Sequence, residues 1–164
     1  HYYRVYGYLK KGRKIASQNL KENIGILNYC KKCLNRKFSS KFFSRCDFCG
    51  NNFSHIFLTW KGKICDKKTL EEIEKNLGKL SWLKNGNEIR NLIEILKKES
   101  EITLPLYNIH TVAKVHKLRI PKLDRLIERL KEKGFKSSRT HFLSYGIKTE
   151  AGIGELLETI KEVT

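Results

Sequence analysis

The chain has 164 residues, 40% hydrophobic and 10% aromatic, a composition that excludes wholesale disorder. No apolar run approaches the roughly 18 residues that a membrane-spanning helix needs. Lys and Arg number 34 against 17 Asp and Glu, and the net charge of +17 points to a polyanionic partner, most often nucleic acid. The chain starts at His1 and contains no Met, which predicts a piece of a longer intracellular, cytoplasmic protein.

The charge is unevenly placed. Residues 1–63 carry 14 basic and 2 acidic side chains, and 110–148 carry 11 basic residues against Asp124, Glu128 and Glu132. Elsewhere the charges nearly balance, as on solvated helix faces.

Tyr2 to Leu9 alternates, with Arg4, Tyr6, Tyr8 and Lys10 on one side, and predicts a strand whose Arg/Tyr face suits bases and phosphates. A turn at Lys11-Gly12-Arg13, a short helix over 15–23 and strands over 24–29 and 53–60 follow. Thr69-Leu70-Glu71-Glu72 has the spacing of a capping box, and Leu70, Ile73, Leu77 and Leu80 make one apolar stripe. Asn85-Gly86 breaks the pattern and marks the expected boundary between regions 1–84 and 85–164. Beyond it, Ile89, Leu92, Ile93 and Leu96 form a helical face. Pro105 is expected to open a helix with Ile109, Val112 and Ala113 inside. Pro121 and Gly134 bracket another, carrying Leu123, Leu126, Ile127 and Leu130. A strand over 135–143, a turn at Tyr145-Gly146, a strand over 147–149 and a last helix over 154–163 complete the chain. Helix, short turn, helix, hairpin is the order of a winged helix.

Cys30-Lys31-Lys32-Cys33 and Cys46-Asp47-Phe48-Cys49 are two C-x-x-C knuckles. Each presents two thiolates to one tetrahedral ion, and Gly50 allows the tight turn after the second. Disulfide or redox use competes, but paired knuckles in an intracellular basic chain favour a structural Zn²⁺ site at Cys30, Cys33, Cys46 and Cys49. Such a ribbon, spanning 30–49, stiffens a loop carrying Lys31, Lys32, Arg36, Lys37, Lys41 and Arg45. Cys65 is left as a free thiol and His55 as a surface residue. No Walker motif, G-x-S-x-G or H-E-x-x-H occurs, Gly152-Ile153-Gly154 lacks a third glycine, and neither proline follows an acidic residue. No catalytic residue is assigned.

Six islands occur in one order: His1-Tyr2-Tyr3-Arg4-Val5, the two knuckles, Leu58-Thr59-Trp60-Lys61-Gly62, Leu104-Pro105-Leu106-Tyr107, Ser138-Arg139-Thr140-His141-Phe142, and Gly146-Ile147-Lys148-Thr149. Together they resemble the C-terminal domain of tRNA (guanine-26, N2)-dimethyltransferases. One island departs: Phe57-Leu58-Thr59-Trp60 stands where the family usually has Gly-Pro-Leu-Trp. The resemblance implies that S-adenosylmethionine and the target guanine bind an N-terminal methyltransferase domain, in cis or as a separate chain, while this part helps position tRNA. It also implies a supportive rather than catalytic zinc, since some members lack the cysteines.

The combined expectation is an α+β chain, with a zinc-ribbon-bearing antiparallel sheet region followed by a winged-helix-like region. Arg4, Lys31, Lys32, Arg36, Lys37, Arg139, His141 and Lys148 are the RNA-contact candidates, with the last three displayed outward across the hairpin. The main rival is a DNA-binding winged-helix regulator placing Lys122, Arg125, Arg129 and Lys133 in the major groove. A zinc-ribbon scaffold that binds only protein is the third reading.

Overall fold

The computed structural model describes residues 4, 6–80 and 82–164 of the chain. Arg4 and residues 6–10 form no strand; Tyr2, Tyr3 and Val5 of the predicted first strand lie outside the described residues. Helix α1 (Arg13–Asn23) runs directly into β1 (Ile24–Tyr29), which is flanked by β2 (Arg36–Ser39) and β3 (Ser54–Trp60) in an antiparallel sheet of order β2-β1-β3. Tyr29 is the hinge of the register, opposite Arg36 on one side and Ser54 on the other. β2 has no alternating pattern of its own. Its pairing with β1 imposes the extended backbone, a case of tertiary context overriding local signal.

Helices α2 (Lys67–Leu77) and α3 (Gly86–Glu99) pack on one another. The cap of α2 is Asp66, not Thr69: the Asp66 carboxylate accepts from the Thr69 backbone N–H at 2.9 Å and from its hydroxyl at 2.8 Å. Of the predicted stripe, Leu70 and Leu77 are buried while Ile73 and Leu80 are exposed.

Pro105 precedes a strand rather than a helix. β4 (Tyr107–Asn108) leads into α4 (Ile109–His116), capped by Asn108 accepting from the Thr111 N–H at 3.1 Å. After α5 (Leu123–Glu132), Gly134 at φ 90° closes the helix: its N–H reaches the Lys131 carbonyl at 2.9 Å and the Phe135 N–H reaches Leu130 at 3.0 Å. Phe135 is thereby used in the helix closure, so the strand after it shortens to β5 (Ser137–Arg139). β6 (Gly146–Thr149) and α6 (Ile153–Val163) follow, with β4-β6-β5 as a second antiparallel sheet.

Ile109, Val112, Leu126, Leu130, Ile147, Leu156 and Ile160 are at most 1% exposed and form the main core. Leu34, from the first knuckle, belongs to the same core, and Tyr29 packs against it. Among the described residues no helix is long and apolar enough to cross a membrane.

Candidate metal centre and nucleic-acid surface

The two knuckles are near copies. In the first, the Leu34 N–H bonds the Cys30 carbonyl at 2.8 Å and the Cys30 N–H bonds Asn35 at 2.8 Å. In the second, Gly50 bonds Cys46 at 2.9 Å and Cys46 bonds Asn51 at 2.7 Å. Leu34 and Gly50 occupy the same place in each turn with φ of 66° and 72°. Glycine meets that demand freely, whereas leucine is strained there and is held by burial in the main core.

The turns bring the four sulfurs within 4.8 Å of one another, with Cys30–Cys49 at 3.5 Å and Cys33–Cys46 at 3.6 Å. All four thiols are free. Four sulfurs on a tetrahedron with metal bonds of about 2.3 Å are about 3.8 Å apart, so the donor set fits a Zn²⁺ ion. Amides surround the sulfurs: the Asn35 side chain donates to Cys46 Sγ at 3.4 Å and that of Asn51 to Cys49 Sγ at 3.5 Å. The backbone N–H of Asn51 is the main cause that draws the Cys49 thiol down to about 6, while burial pushes Cys33 well up. Both knuckles read Cys-x-x-Cys-x-Asn, and the repeated Asn was the unread signal for this amide shell.

The RNA-contact candidates divide by placement. Arg4, Lys31 and Lys32 are exposed. Lys37 is partly covered, 2.7 Å from Asp47 and over the Phe43 ring at 4.2 Å. Arg36 is turned inward, its guanidinium 3.4 Å from the Tyr107 ring centroid, and burial lowers it to about 10. Arg139 is on the surface, paired with Asp124 at 2.8 Å.

His141 and Lys148 do converge on one group, but only Lys148 is turned to the interior; His141 stays exposed. Both meet Glu99, which is fully buried at the end of α3: His141 donates its backbone N–H at 3.0 Å and has Nδ1 at 2.8 Å from the same oxygen, and Lys148 Nζ lies 3.4 Å from the other. A buried carboxylate demands such partners. Glu99 was missed in the sequence, although it continues the α3 stripe three residues beyond Leu96. The Gly152-Ile153-Gly154 turn is no phosphate loop: the Glu155 carboxylate and the Phe48 ring occupy the space beside its glycines.

The two cation-rich zones of the sequence meet at one contact. His116, at the end of α4, has Nε2 2.9 Å from the Cys33 carbonyl, and its ring lies 6.5 Å from that of the exposed Phe48. Exposed Lys31 and Lys32 flank Cys33, and exposed Lys114 and Lys117 flank His116.

Residues 1–161 match the family model for N2,N2-dimethylguanosine tRNA methyltransferase. The chain is 31% identical to the tRNA (guanine(26)-N(2))-dimethyltransferase of Methanosphaera stadtmanae over 99% of its own length and 42% of that protein. Its identity to the Archaeoglobus fulgidus protein of the same name is 35%, over 92% of this chain and 41% of the relative. The structure of Trm1 from Pyrococcus horikoshii in complex with S-adenosyl-L-methionine superposes with a TM-score of 0.72 at 26% identity, covering 92% of this chain and 38% of that one. The chain thus spans less than half the length of these relatives, and it belongs to the N2,N2-dimethylguanosine tRNA methyltransferase family.

Proposed function

We propose that this chain is the tRNA-binding C-terminal portion of a tRNA (guanine-26, N2)-dimethyltransferase, positioning tRNA for a catalytic domain supplied in cis or as a separate chain. The observation that carries this reading is the Cys33–His116 contact, which brings two distant cation-rich stretches of sequence together beside an exposed aromatic ring. Lysines there release counterions from phosphates, and Phe48 offers a stacking face. Arg4, Lys37 and Arg139 are further candidates for RNA contact, the last two already paired with Asp47 and Asp124. Arg36 and Lys148 act from inside, holding the fold that presents these cations, while exposed His141 is tied to buried Glu99.

Zn²⁺ would be held by Cys30, Cys33, Cys46 and Cys49 with no coordination position left open, so its contribution is rigidity. S-adenosylmethionine, bound by the catalytic domain, would supply the methyl groups. From α3 to β6 the order is helix, strand, helix, helix, hairpin, with strand order β4-β6-β5, which supports a winged-helix arrangement. Its second helix in the major groove, as in a DNA regulator, is disfavoured by internal pairing: Arg129 is bound to Glu132 and Glu162, and Lys133 to Glu162. Filter binding of the chain to unmodified tRNA and to duplex DNA, each across a salt series, tests the reading. Preferential, salt-sensitive retention of tRNA is expected; equal retention of both, or of neither, overturns it.

A further inference from the structure

The β2-β1-β3 sheet has two unlike faces. Leu27 and its partner Phe38 line a cavity shared with Tyr107 of the second sheet. One register step on, Asn28 and its partners Lys37 and His55 take the opposite face, and Phe57 follows His55 by two residues along β3. The loop after β2 folds onto this outer face. Asn28, fully buried, fixes it: Oδ1 accepts the Phe43 N–H at 3.2 Å, and Nδ2 donates to Ser39 Oγ at 3.0 Å. Phe42 is thereby set against both His55 and Phe57, with ring centroids 5.1 Å apart in each pair. Yet Phe42 is 54% and Phe57 62% exposed. Two large rings, held in place and left in water, mark a contact surface rather than a core. The charge around them has one sign. From Ile24 to Cys65 the sequence holds a single acid, Asp47, and Lys37 pairs with it at 2.7 Å. Lys41 and Arg45, on either side of Phe42 and Phe43, are exposed and have no ion-pair partner among the described residues.

We propose that this outer face is a stacking platform for unpaired RNA bases, with Phe42 and Phe57 meeting the bases and Lys41 and Arg45 the phosphates beside them. The inference rests on the RNA-binding reading above and adds residues other than Lys31, Lys32 and Phe48 to it. Charge decides the occupant. A protein-docking patch is depleted of charged residues at its centre. Here cations without free acids flank the rings, which suits a polyanion whose units carry π-faces. Duplex RNA keeps its bases inside the stack, so the partner is a single-stranded segment or loop. The Phe42 and Phe57 rings already touch and are inclined by 55°. They leave no slot between them and offer their outer faces, one base to each.

Fluorescence anisotropy with a short labelled oligouridylate, and with a duplex RNA of the same length, tests the platform. Phe57→Leu keeps an apolar side chain but removes the π-face; it should weaken oligouridylate binding about fivefold or more, and Phe57→Tyr should restore it. Phe42→Ala should act in the same direction, so a misfolded variant at one ring does not end the test. Duplex binding should be unchanged by either. Lys41→Gln combined with Arg45→Gln should shrink the log–log salt slope for oligouridylate by about 1.4. Equal binding by the Leu and Tyr variants, or equal weakening for duplex and single strand, overturns the platform. So does a Phe42 variant that binds RNA normally but loses its hold on the catalytic part of a family member, which would make the face a protein contact. Retention of tRNA with oligouridylate ignored overturns the platform alone. Oligouridylate bound through Phe57, without preference for tRNA over duplex DNA, instead overturns the tRNA reading and leaves the platform standing.

Discussion

Asn35 of the first knuckle donates its side-chain amide to Sγ of Cys46 in the second, 3.4 Å away. Such outer-shell donors orient the ligand and stabilise the thiolate, and losing one typically costs 10- to 100-fold, roughly, in metal affinity. Asn35→Ala should therefore weaken zinc binding by about tenfold or more while leaving all four ligands in place. Competition with a chromophoric chelator measures it; an unchanged affinity means that the amide only packs.

Metal removal should be felt beyond the knuckles. Leu34 holds its left-handed turn between Cys33 and Asn35 while packed in the main core, and the Cys33 carbonyl is bonded to His116. We expect about one Zn²⁺ per chain by elemental analysis, and Cys46→Ser should abolish it. Zinc contributes on the order of 10 kcal/mol of apparent binding free energy in small domains, so chelation should lower the melting temperature of the whole chain. Affinity should also fall with pH, because burial holds the proton on Cys33 and the metal must displace it, whereas Cys49, drawn down to about 6, is already a thiolate at neutral pH. A melt unaffected by complete zinc loss contradicts this.

The sequence was legible where pattern and physics coincide locally. The knuckle spacing, the α5 stripe of Leu126, Ile127 and Leu130, and the closing role of Gly134 all reappear in the structure. What escaped depends on distant partners. Asp66 displaced Thr69 as a cap because a carboxylate three residues upstream reaches the Thr69 N–H. Arg36 and Lys148 looked like solvated cations because nothing near them in sequence names Tyr107 or Glu99, the groups that hold them inside. Pro105 has the local signature of a helix start, yet the pairing of Tyr107 with Ile147 draws the following residues into a sheet.

Glu99→Gln removes the negative charge that buried Lys148 faces. An uncompensated buried charge typically costs about 3–5 kcal/mol, and urea unfolding should show a loss of that order. Glu99→Leu combined with Lys148→Met replaces both charges with apolar groups and should recover much of it. A double variant as unstable as Glu99→Gln would show that His141 and its backbone N–H, rather than Lys148, carry the interaction.

Lys31 and Lys32 should neutralise phosphates. Changing both to Ala removes two contacts, and the log–log salt slope of tRNA binding should shrink by about 1.5. Arg139→Ala should change the slope less, because Asp124 already neutralises that guanidinium. A slope unaltered by the double change, with zinc content intact, removes these lysines from the RNA surface.

The last prediction is that the chain alone binds tRNA and transfers no methyl group. Methylating an exocyclic amine requires a pocket for S-adenosylmethionine beside a group that orients the extruded base. Among the described residues, the one glycine-flanked turn that opens a helix after a strand, at Gly152, is filled by Glu155 and Phe48. The cavity between the two sheets, lined by Arg36, Trp60 and Glu99, offers the Glu99–His141–Lys148 cluster, whose carboxylate is fully buried with one oxygen held by His141 and the other 3.4 Å from Lys148 Nζ. Incubation of the purified chain with labelled S-adenosylmethionine and unmodified tRNA should leave the RNA unlabelled. Supplying the catalytic part of a family member should produce dimethylguanosine, and the Lys31/Lys32 double variant should then raise KM for tRNA more than it lowers kcat, as expected for residues that bind and do not react. Methyl incorporation by the chain alone would place the active site within it and overturn the division of labour.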